Sequence, residues 1–242
     1  IKFIEKNNTG IVILDRPKSL NSINYEMVER FLEKLDIWKS DNNIKRILVK
    51  GEGKAFCAGG DVKSLVLSFD RDNLKKKFFQ KEYTLNNLIN EFQKEYMSIW
   101  DGIVMGGGVG LSIYGNYRIA TEKTIFAMPE TAIGFFPDVG GSYFLSRLKK
   151  GKGVFLGLTG HVCNAYDIIE LGIATHYVSS EFLPKIIEEY IEEGDLNCPI
   201  QKIEMKSSLK KNENLIEDIF QENLKDIMIK LKKTKDQFGQ KI

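Results

Sequence analysis

Residues 96–112, YMSIWDGIVMGGGVGLS, hold the pattern that decides the fold: an apolar run, a cluster of glycines and a second apolar run. Tyr96–Trp100 has the length and the side chains of a buried strand. The glycines that follow let the backbone approach a ligand closely, and a helix beginning there would present free N–H groups. The spacing predicts a short helix near Gly108–Tyr114. Two interpretations stay open, a binding turn for negative charge or tight packing of a helix on a sheet.

Strands and helices alternate on both sides of this stretch. Short apolar runs predict strands, and apolar residues at three- and four-residue spacing predict helices. The alternation favours an α/β fold with a mostly parallel sheet. The predicted strands are Ile11–Asp15, Arg46–Lys50, Tyr96–Trp100, Tyr117–Ala120, Thr124–Ala127 and Thr175–Val178. The predicted helices are Tyr25 to about Lys39 with Asn24 as N-cap, Asp72 to about Asn90, Gly141–Leu148, Lys152–Leu156, Ala165–Leu171 and Glu181–Glu193.

The C-terminal region differs in composition from the rest of the chain. Gly194–Asn214 is rich in charge and poor in core residues, so we expect a linker or a mobile segment there. Asn214–Lys233 carries apolar residues at helical spacing, and such a stripe needs a partner surface. The sequence thus divides into a core, residues 1–194, and a C-terminal helical segment, residues 195–242.

Length and charge narrow the classes of function. A chain of 242 residues suits one domain with at most a small appendage, and it is long enough to bury a sizeable core. The balance of 35 Lys and Arg against 33 Asp and Glu argues against a strongly basic nucleic-acid binder. No uncharged run approaches the roughly 18 residues of a membrane span. Two histidines and three scattered cysteines are too few for most zinc sites or for a disulfide framework, so free thiols are expected.

Residues 124–146, TIFAMPETAIGFFPDVGGSYFLS, carry only two charges, Glu130 and Asp138. A carboxylate among apolar neighbours is desolvated unless something pairs with it, and desolvation raises its pKa. A raised pKa suits a carboxylate to acid–base or nucleophilic chemistry, and two carboxylates in one dry site push their pKa values apart. The alternative is that both lie in exposed loops or cap helices, with Asp138 as an N-cap for the helix that includes Ser142.

Other motifs that often carry chemistry are incomplete. Leu111 stands where a dinucleotide loop needs its third glycine, and no phosphate-binding GxxxxGK[ST] motif exists. No GxSxG elbow is present, which argues against a serine hydrolase. Cys57 has small and apolar neighbours, so we expect it to be packed rather than nucleophilic. His161 and His176 are expected to be structural.

Taken in order, the glycine and carboxylate motifs resemble those of the crotonase (enoyl-CoA hydratase/isomerase) superfamily. Within it, Glu82–Asn86 and the stretch from Ala120 are similar to the 3-hydroxyisobutyryl-CoA hydrolase subgroup. The resemblance covers about residues 10–180 and implies a crotonase-like spiral of ββα units with C-terminal helices. The matching segments are KAFCAGGD (54–61), GGGVGLS (106–112), FAMPETAIGFFPDVGG (126–141), LTG (158–160) and LGIATHYV (171–178).

The resemblance implies that the substrate is a CoA thioester whose carbonyl oxygen is bound by two backbone N–H groups. Residue by residue, these donors match Gly60 and Gly107. Fixed donors stabilise the negative charge that develops on this oxygen, and removing one typically costs about 2.7–4 kcal/mol. The stretch Ala58–Lys63 matches the loop that contacts CoA. The residues expected to bind CoA are Lys54, Ala58, Gly60, Asp61 and Val62.

The resemblance also implies catalytic residues. Family hydratases use two glutamates, of which one position is Gly110 here and the other matches Glu130. Because hydration needs both, Gly110 argues against a hydratase. The hydrolase subgroup is similar to this chain in pairing a carboxylate at position 130 with Asp138. We expect Glu130 to bind the substrate and to attack the thioester carbonyl or activate a water. We expect Asp138 to orient Glu130 or the water, or to bind the 3-hydroxyl of the substrate. Glu82 and Gly107 are expected to contact the substrate beside them.

The expected function is hydrolysis of a short 3-hydroxyacyl-CoA thioester, best represented by 3-hydroxyisobutyryl-CoA of valine degradation, to the free acid and CoA. An enoyl-CoA hydratase or isomerase and a catalytically idle binding protein of the same fold are the alternatives. We expect no cofactor besides the CoA of the substrate, no metal, no nucleic acid and no membrane partner. The resemblance implies a mitochondrial location and is compatible with a homo-oligomer. Because relatives continue through more helices, the segment 195–242 is expected to be incomplete.

Overall fold

The computed structural model describes residues 1–68, 73–196, 198 and 202–236, and its strands form one sheet of six and one of four. The long predicted strands are confirmed to within two residues at each end. The strands are β1 (Lys2–Lys6), β2 (Thr9–Leu14), β3 (Arg46–Gly51), β4 (Ala55–Cys57), β5 (Glu95–Trp100), β6 (Ile103–Met105), β7 (Tyr117–Ala120), β8 (Ile125–Ala127), β9 (Cys163–Asn164) and β10 (His176–Tyr177).

From β3 to β8, consecutive strands alternate between the two sheets. The larger sheet has the order β1-β2-β3-β5-β7-β10 and is parallel except for β1, while the smaller has the order β4-β6-β8-β9 and is parallel except for β9. Thus β3 leads into β4, β5 into β6 and β7 into β8, and each pair is followed by helical structure. Repetition of this ββα unit builds a spiral, which confirms the predicted α/β fold.

Helices follow each strand pair and cover the sheets. The described helices are α1 (Tyr25–Ser40), α2 (Val62–Leu67), α3 (Leu74–Asn90), α4 (Gly107–Gly110), α5 (Gly141–Leu145), α6 (Lys152–Thr159), α7 (Ala165–Glu170), α8 (Leu183–Glu192), α9 (Glu213–Ile219) and α10 (Leu224–Lys233). The start predicted for α3, Asp72, lies outside the described residues. No helix in the described ranges is long and apolar enough to cross a membrane.

The start and the buried face of α1 follow from its sequence. Asn24 caps it as predicted, because its side-chain oxygen accepts a hydrogen bond from the backbone N–H of Met27 at 3.0 Å. The apolar residues at helical spacing, Met27, Phe31, Leu35 and Trp38, are all buried. α1 packs on α3 and so fixes the helix that carries Glu82.

The central strand β5 is buried on both faces of the larger sheet. Tyr96 and Trp100 point into the main core, whereas Met97 and Ile99 point into a second cluster under α8. Side chains alternate between the two faces of a strand, and parallel strands covered on both sides are apolar throughout. This double burial explains why residues 96–100 are recognisable as a strand.

Four strands were not predicted, and each has a reason. β4 and β6 have three residues apiece beside glycines, β9 has two, and β1 (KFIEK) is a mostly exposed edge strand without an apolar run. The predicted helix 108–114 is the shorter α4. The predicted stripe 214–233 is two helices, and Asn223 caps the second by accepting from the N–H of Asp226 at 3.1 Å.

The described part of the predicted linker is attached to the core. Residues 197 and 199–201 lie outside the described residues. Beyond them, the hydroxyl groups of Ser207 and Ser208 both donate to the carboxylate of Asp167 at 2.6 Å, and Leu209 is buried. The chain is therefore anchored at this point rather than free.

Candidate active site

Two glycine turns meet at the carboxyl end of the smaller sheet. β4 and β6 are parallel neighbours, with Cys57 beside Val104, so the turns that follow them lie side by side. A Cβ added to Gly107 would lie 3.1 Å from the backbone nitrogen of Gly60. Neither of these two N–H groups donates a hydrogen bond to another described residue. The two glycines predicted to supply donors are therefore neighbours, and neither N–H group has an acceptor among the described residues.

The backbone around Gly106 and Gly107 tolerates only glycine. Gly106 has a φ of +47°, and a Cβ there would lie 2.9 Å from Oε1 of Glu130. A Cβ on Gly107 would lie 2.6 Å from Oε1 of Glu82. The carboxyl group of Glu130 therefore lies beside Gly106, and that of Glu82 lies beside Gly107.

Glu130 and Glu82 reach this point from different elements. Glu130 begins a 3-10 turn, Glu130–Ile133, soon after β8, which is the neighbour of β6 in the smaller sheet. Glu82 lies on the buried face of α3. Their exposures are 7% and 2%. The alternative interpretation of Glu130 as an exposed loop residue is thus wrong, and the expectation of a dry carboxylate is confirmed.

Burial is the main cause of the unusual titration of these acids. It raises the pKa of Glu130 to about 7, with a further increase from the charge of Asp138. It raises the pKa of Glu82 to about 8, again with increases from Asp138 and then Glu130. Oε2 of Glu130 is buried without a hydrogen-bond partner among the described residues. At neutral pH Glu130 is therefore present in both its protonated and its ionised form, while Glu82 is mostly protonated.

Asp138 lines the same cavity as these two acids and is held by a tyrosine. The hydroxyl of Tyr83 donates a hydrogen bond to Oδ2 of Asp138 at 2.8 Å. Burial raises the pKa of Asp138, and this hydrogen bond opposes the increase. The alternative interpretation of Asp138 as a helix N-cap is wrong, because α5 has Gly140 as its cap residue and no side-chain cap bond.

The two glycine turns and the acids Glu82, Glu130 and Asp138 line a cavity of about 480 Å³. Its remaining walls are mainly apolar, which keeps the acids in a poorly solvated space. Of the residues expected to bind CoA, Lys54 is exposed and does not line this cavity, and Asp61 caps α2 and pairs with Arg16 at 3.0 Å. The lining residues are Ala58, Gly59, Gly60, Val62, Leu65, Phe78, Phe79, Glu82, Gly106, Gly107, Pro129, Glu130, Ala132, Ile133, Gly134, Phe135 and Asp138.

Other side chains occupy the space beside Gly110, the position matched to a glutamate of family hydratases. A Cβ on Gly110 would lie 2.6 Å from Cβ of Val139 and 2.9 Å from Nδ2 of Asn86. A longer side chain at this position would need both neighbours to move. Sequence reasoning identified Gly110 but missed Asn86 and Tyr83 as neighbours of the site, although both lie in the segment Glu82–Asn86 that carries the resemblance.

The remaining candidate nucleophiles and bases have structural partners. Nε2 of His161 lies 3.0 Å from the hydroxyl of Ser208, and Nδ1 of His176 lies 2.9 Å from the hydroxyl of Thr175. Burial raises the pKa of Cys57 to about 12, so its thiol stays protonated. The expectation that Cys57 is packed is confirmed.

The spiral fold, the paired glycine donors and the buried acids define a crotonase-type protein. Residues 9–242 match the family described as enoyl-CoA hydratase/isomerase, and the chain belongs to this family. An enoyl-CoA hydratase from Rhodobacter sphaeroides 2.4.1 has a TM-score of 0.92 and 33% identity, covering 99% of this chain and 71% of that one. A carnitinyl-CoA dehydratase from Mycobacterium thermoresistibile has a TM-score of 0.90 and 34% identity, covering 99% and 72%.

The chain is also similar to one particular kind of enzyme in sequence. The human mitochondrial 3-hydroxyisobutyryl-CoA hydrolase is 48% identical over 192 residues, which are 77% of this chain and 49% of the relative. The mouse mitochondrial 3-hydroxyisobutyryl-CoA hydrolase is 44% identical over 225 residues, which are 90% of this chain and 58% of the relative. The chain thus spans about half the length of these relatives.

Proposed function

We propose that this protein hydrolyses a short 3-hydroxyacyl-CoA thioester, with 3-hydroxyisobutyryl-CoA as the preferred substrate, to the free acid and CoA. One observation carries the proposal. Glu130 is buried with a pKa raised to about 7, and it lies beside two backbone N–H groups that have no acceptor among the described residues. The similarity to 3-hydroxyisobutyryl-CoA hydrolases supports the choice of reaction and acyl group.

The donors Gly60 and Gly107 bind the thioester oxygen in this mechanism. When a nucleophile attacks the carbonyl carbon, the oxygen gains a negative charge. Two N–H groups that are fixed before the reaction stabilise this charge without reorganisation, and the apolar walls strengthen the effect. The donors also fix the substrate, because the carbonyl oxygen has to lie between them.

Glu130 supplies the nucleophile by one of two routes. In the first, a carboxylate oxygen of Glu130 bonds to the carbonyl carbon, the C–S bond breaks, and CoA leaves as the thiolate. Water then hydrolyses the resulting anhydride to the free acid and restores Glu130. In the second, Glu130 takes a proton from a water molecule that itself attacks the carbonyl carbon; the C–S bond then breaks, and the proton passes to the departing CoA thiolate. Both routes need the ionised form of Glu130.

The other two acids hold the acyl group in place. Glu82 is mostly protonated at neutral pH, so its O–H can donate to the 3-hydroxyl oxygen of the substrate. Asp138 lines the same cavity as Glu130 and accepts a hydrogen bond from the same hydroxyl or from the attacking water. CoA is part of the substrate, and the proposed steps use no further cofactor.

The competing reaction is hydration of an enoyl-CoA. The second glutamate that hydration needs is absent, because its position is Gly110 here. Val139 and Asn86 crowd the space beside Gly110 where that side chain would begin. An idle binding protein, in turn, has no need for a buried acid with an unpartnered oxygen, because such a group costs folding free energy. Both alternatives are therefore less well supported than hydrolysis.

The family resemblance extends the proposal to organisation and location. We propose that residues 1–194 form the catalytic core and that residues 195–242 belong to the C-terminal helical part of the family. The names of the vertebrate relatives support a mitochondrial location. A homo-oligomer is compatible with family membership.

The test is thiol release from 3-hydroxyisobutyryl-CoA, measured beside hydration of crotonyl-CoA. Rapid thiol release without hydration is the expected result. Hydration without thiol release would overturn the proposal, because another residue would then replace the glutamate missing at Gly110. Binding of both thioesters without either reaction would favour the idle binding protein.

A further inference from the structure

A second cavity, of about 320 Å³, borders the active-site cavity. Two pairs of consecutive residues form the partition. Glu82 and Asp138 line the active-site cavity, whereas the residues next to them in sequence, Tyr83 and Val139, line the second one. The second cavity is lined by Tyr83, Asn86, Asn87, Asn90, Tyr114, Val139, Gly140 and Tyr143.

Tyr83, which is 40% exposed, lies at the boundary between the two cavities. Its hydroxyl donates to Asp138 at 2.8 Å, which joins α3 to the loop before α5. Its ring centroid lies 5.9 Å from that of Phe79, and Phe79 in turn stacks on Phe135 at 5.9 Å. Phe79 and Phe135 line the active-site cavity. The ring of Tyr83 is therefore held at both ends, by a hydrogen bond and by an aromatic contact.

The proposed binding mode directs the acyl group toward this partition. The thioester oxygen lies between Gly60 and Gly107, and the CoA portion leaves along the turn that contains Ala58. The acyl chain then extends the other way, between Glu82 and Asp138. A short 3-hydroxyacyl group ends there, and a longer one would meet the ring of Tyr83.

We propose that Tyr83 limits the length of the acyl group and positions Asp138. This inference rests on the proposed function for the direction of the acyl group. The ring separates the acyl end of the active site from the second cavity, and the hydroxyl fixes the carboxylate that faces Glu130. Removing the ring joins the two cavities, while removing only the hydroxyl leaves the partition in place.

Binding of S-alkyl-CoA thioethers tests the length limit without needing turnover. Dissociation constants of S-butyl-CoA and S-octyl-CoA are measured by calorimetry for the wild-type protein, Tyr83→Ala and Tyr143→Ala. Tyr143 lines the second cavity away from the partition and is half exposed, so its variant is the matched control. We expect Tyr83→Ala to shift the affinity ratio toward the octyl compound by at least about tenfold, and Tyr143→Ala to leave it unchanged. An unchanged ratio in Tyr83→Ala would overturn the length limit.

Tyr83→Phe tests the positioning role. It keeps the ring, so the affinity ratio should stay at the wild-type value, while kcat for 3-hydroxyisobutyryl-CoA falls about tenfold at nearly constant KM. The carboxyl ¹³C signal of Asp138 should titrate at higher pH, because Asp138 loses its donor while Glu82 and Glu130 still face it. Tyr114→Phe is the control, since that hydroxyl donates to the carbonyl oxygen of Gly140 instead.

The outcomes separate this inference from the proposed function. If the wild-type protein releases no thiol but Tyr83→Ala shows the shifted affinity ratio, the proposed function is overturned and the length limit is kept. A wild-type protein that hydrolyses the short thioester, with Tyr83→Phe matching it in kcat and in the Asp138 titration, would keep the function and overturn the positioning role.

Discussion

Two buried carboxylates, Glu130 and Asp167, have opposite surroundings. Their exposures are similarly low, 7% and 2%. Asp167 accepts hydrogen bonds from both serine hydroxyls of the anchored segment and from the backbone N–H groups of Asn164 and Ser208. Glu130 has a buried oxygen without a partner among the described residues. Burial is therefore common to both acids, and the set of partners distinguishes them.

This difference separates a structural acid from a reactive one. A carboxylate that accepts several hydrogen bonds is stabilised in its charged form and rigidly placed. Asp167 uses these bonds to start α7 and to attach residues 207–209. A buried carboxylate with an orphan oxygen costs stability instead, and such unsatisfied groups concentrate where chemistry is done.

The largest effect is expected for Glu130→Gln. Glutamine has nearly the same shape but is neither a nucleophile nor a base, so thiol release should fall by about 10²–10⁴-fold or more. Stability should stay the same or rise, because the variant has no buried carboxylate at position 130. Steady-state kinetics and urea unfolding measure the two quantities. Turnover close to that of the wild-type protein would remove Glu130 from the mechanism.

Gly107→Ala should have the next largest effect. The new methyl group would lie 2.6 Å from Oε1 of Glu82 and 3.1 Å from the nitrogen of Gly60, so the two donors have to separate. We expect kcat to fall by about 10²–10³-fold, the usual cost of one lost oxyanion donor.

Gly172→Ala is the control for that variant. Gly172 has a φ of +69°, but nothing lies within 4 Å of an added Cβ. Alanine there should cost about 1–2 kcal/mol of stability through backbone strain while kcat stays unchanged. An equal loss of kcat in both variants would mean that general destabilisation, and not the donor geometry, explains the first result.

Asp167→Ala tests the structural side of the contrast. The substitution leaves the hydroxyls of Ser207 and Ser208 and a backbone N–H without their acceptor, so the free energy of unfolding should fall by about 3 kcal/mol. Activity per folded molecule should persist. Urea unfolding and active-site titration by thiol release measure both. A variant that unfolds normally yet loses turnover would give Asp167 a role in catalysis.

The sequence predicted the parts of this contrast that depend on local pattern. Glu130 and Asp138 are recognisable as dry acids because 124–146 contains no other charge. β2 is recognisable because Ile11–Leu14 are apolar over four consecutive positions. Local pattern did not predict β4 or β6, whose three residues are too few to show a period.

Other parts depend on contacts between distant segments. The bond from Tyr83 to Asp138 joins residues 55 positions apart, and Asp167 is bonded to serines about 40 positions away. Local pattern marks Glu130 as a dry acid, but it does not show that Asp167 is bonded to serines in a distant segment. The resemblance to a family supplied the glycine donors, and only the folded arrangement supplied their distance from Glu82 and Glu130.

The smallest effect concerns pH. Glu130 reacts in its ionised form and has a pKa of about 7, so thiol release should increase with pH through about 7. The charge of Asp138 contributes to this raised pKa, and a neutral amide does not. Asp138→Asn should therefore move the acid limb of the kcat profile to lower pH, by less than about one unit, although kcat itself falls. Asp167→Asn should leave the limb in place, because Asp167 does not act on Glu130. A limb that moves equally in both variants would trace the pH dependence to the fold as a whole, whereas a shift in Asp138→Asn alone assigns it to the pair of acids in the cavity.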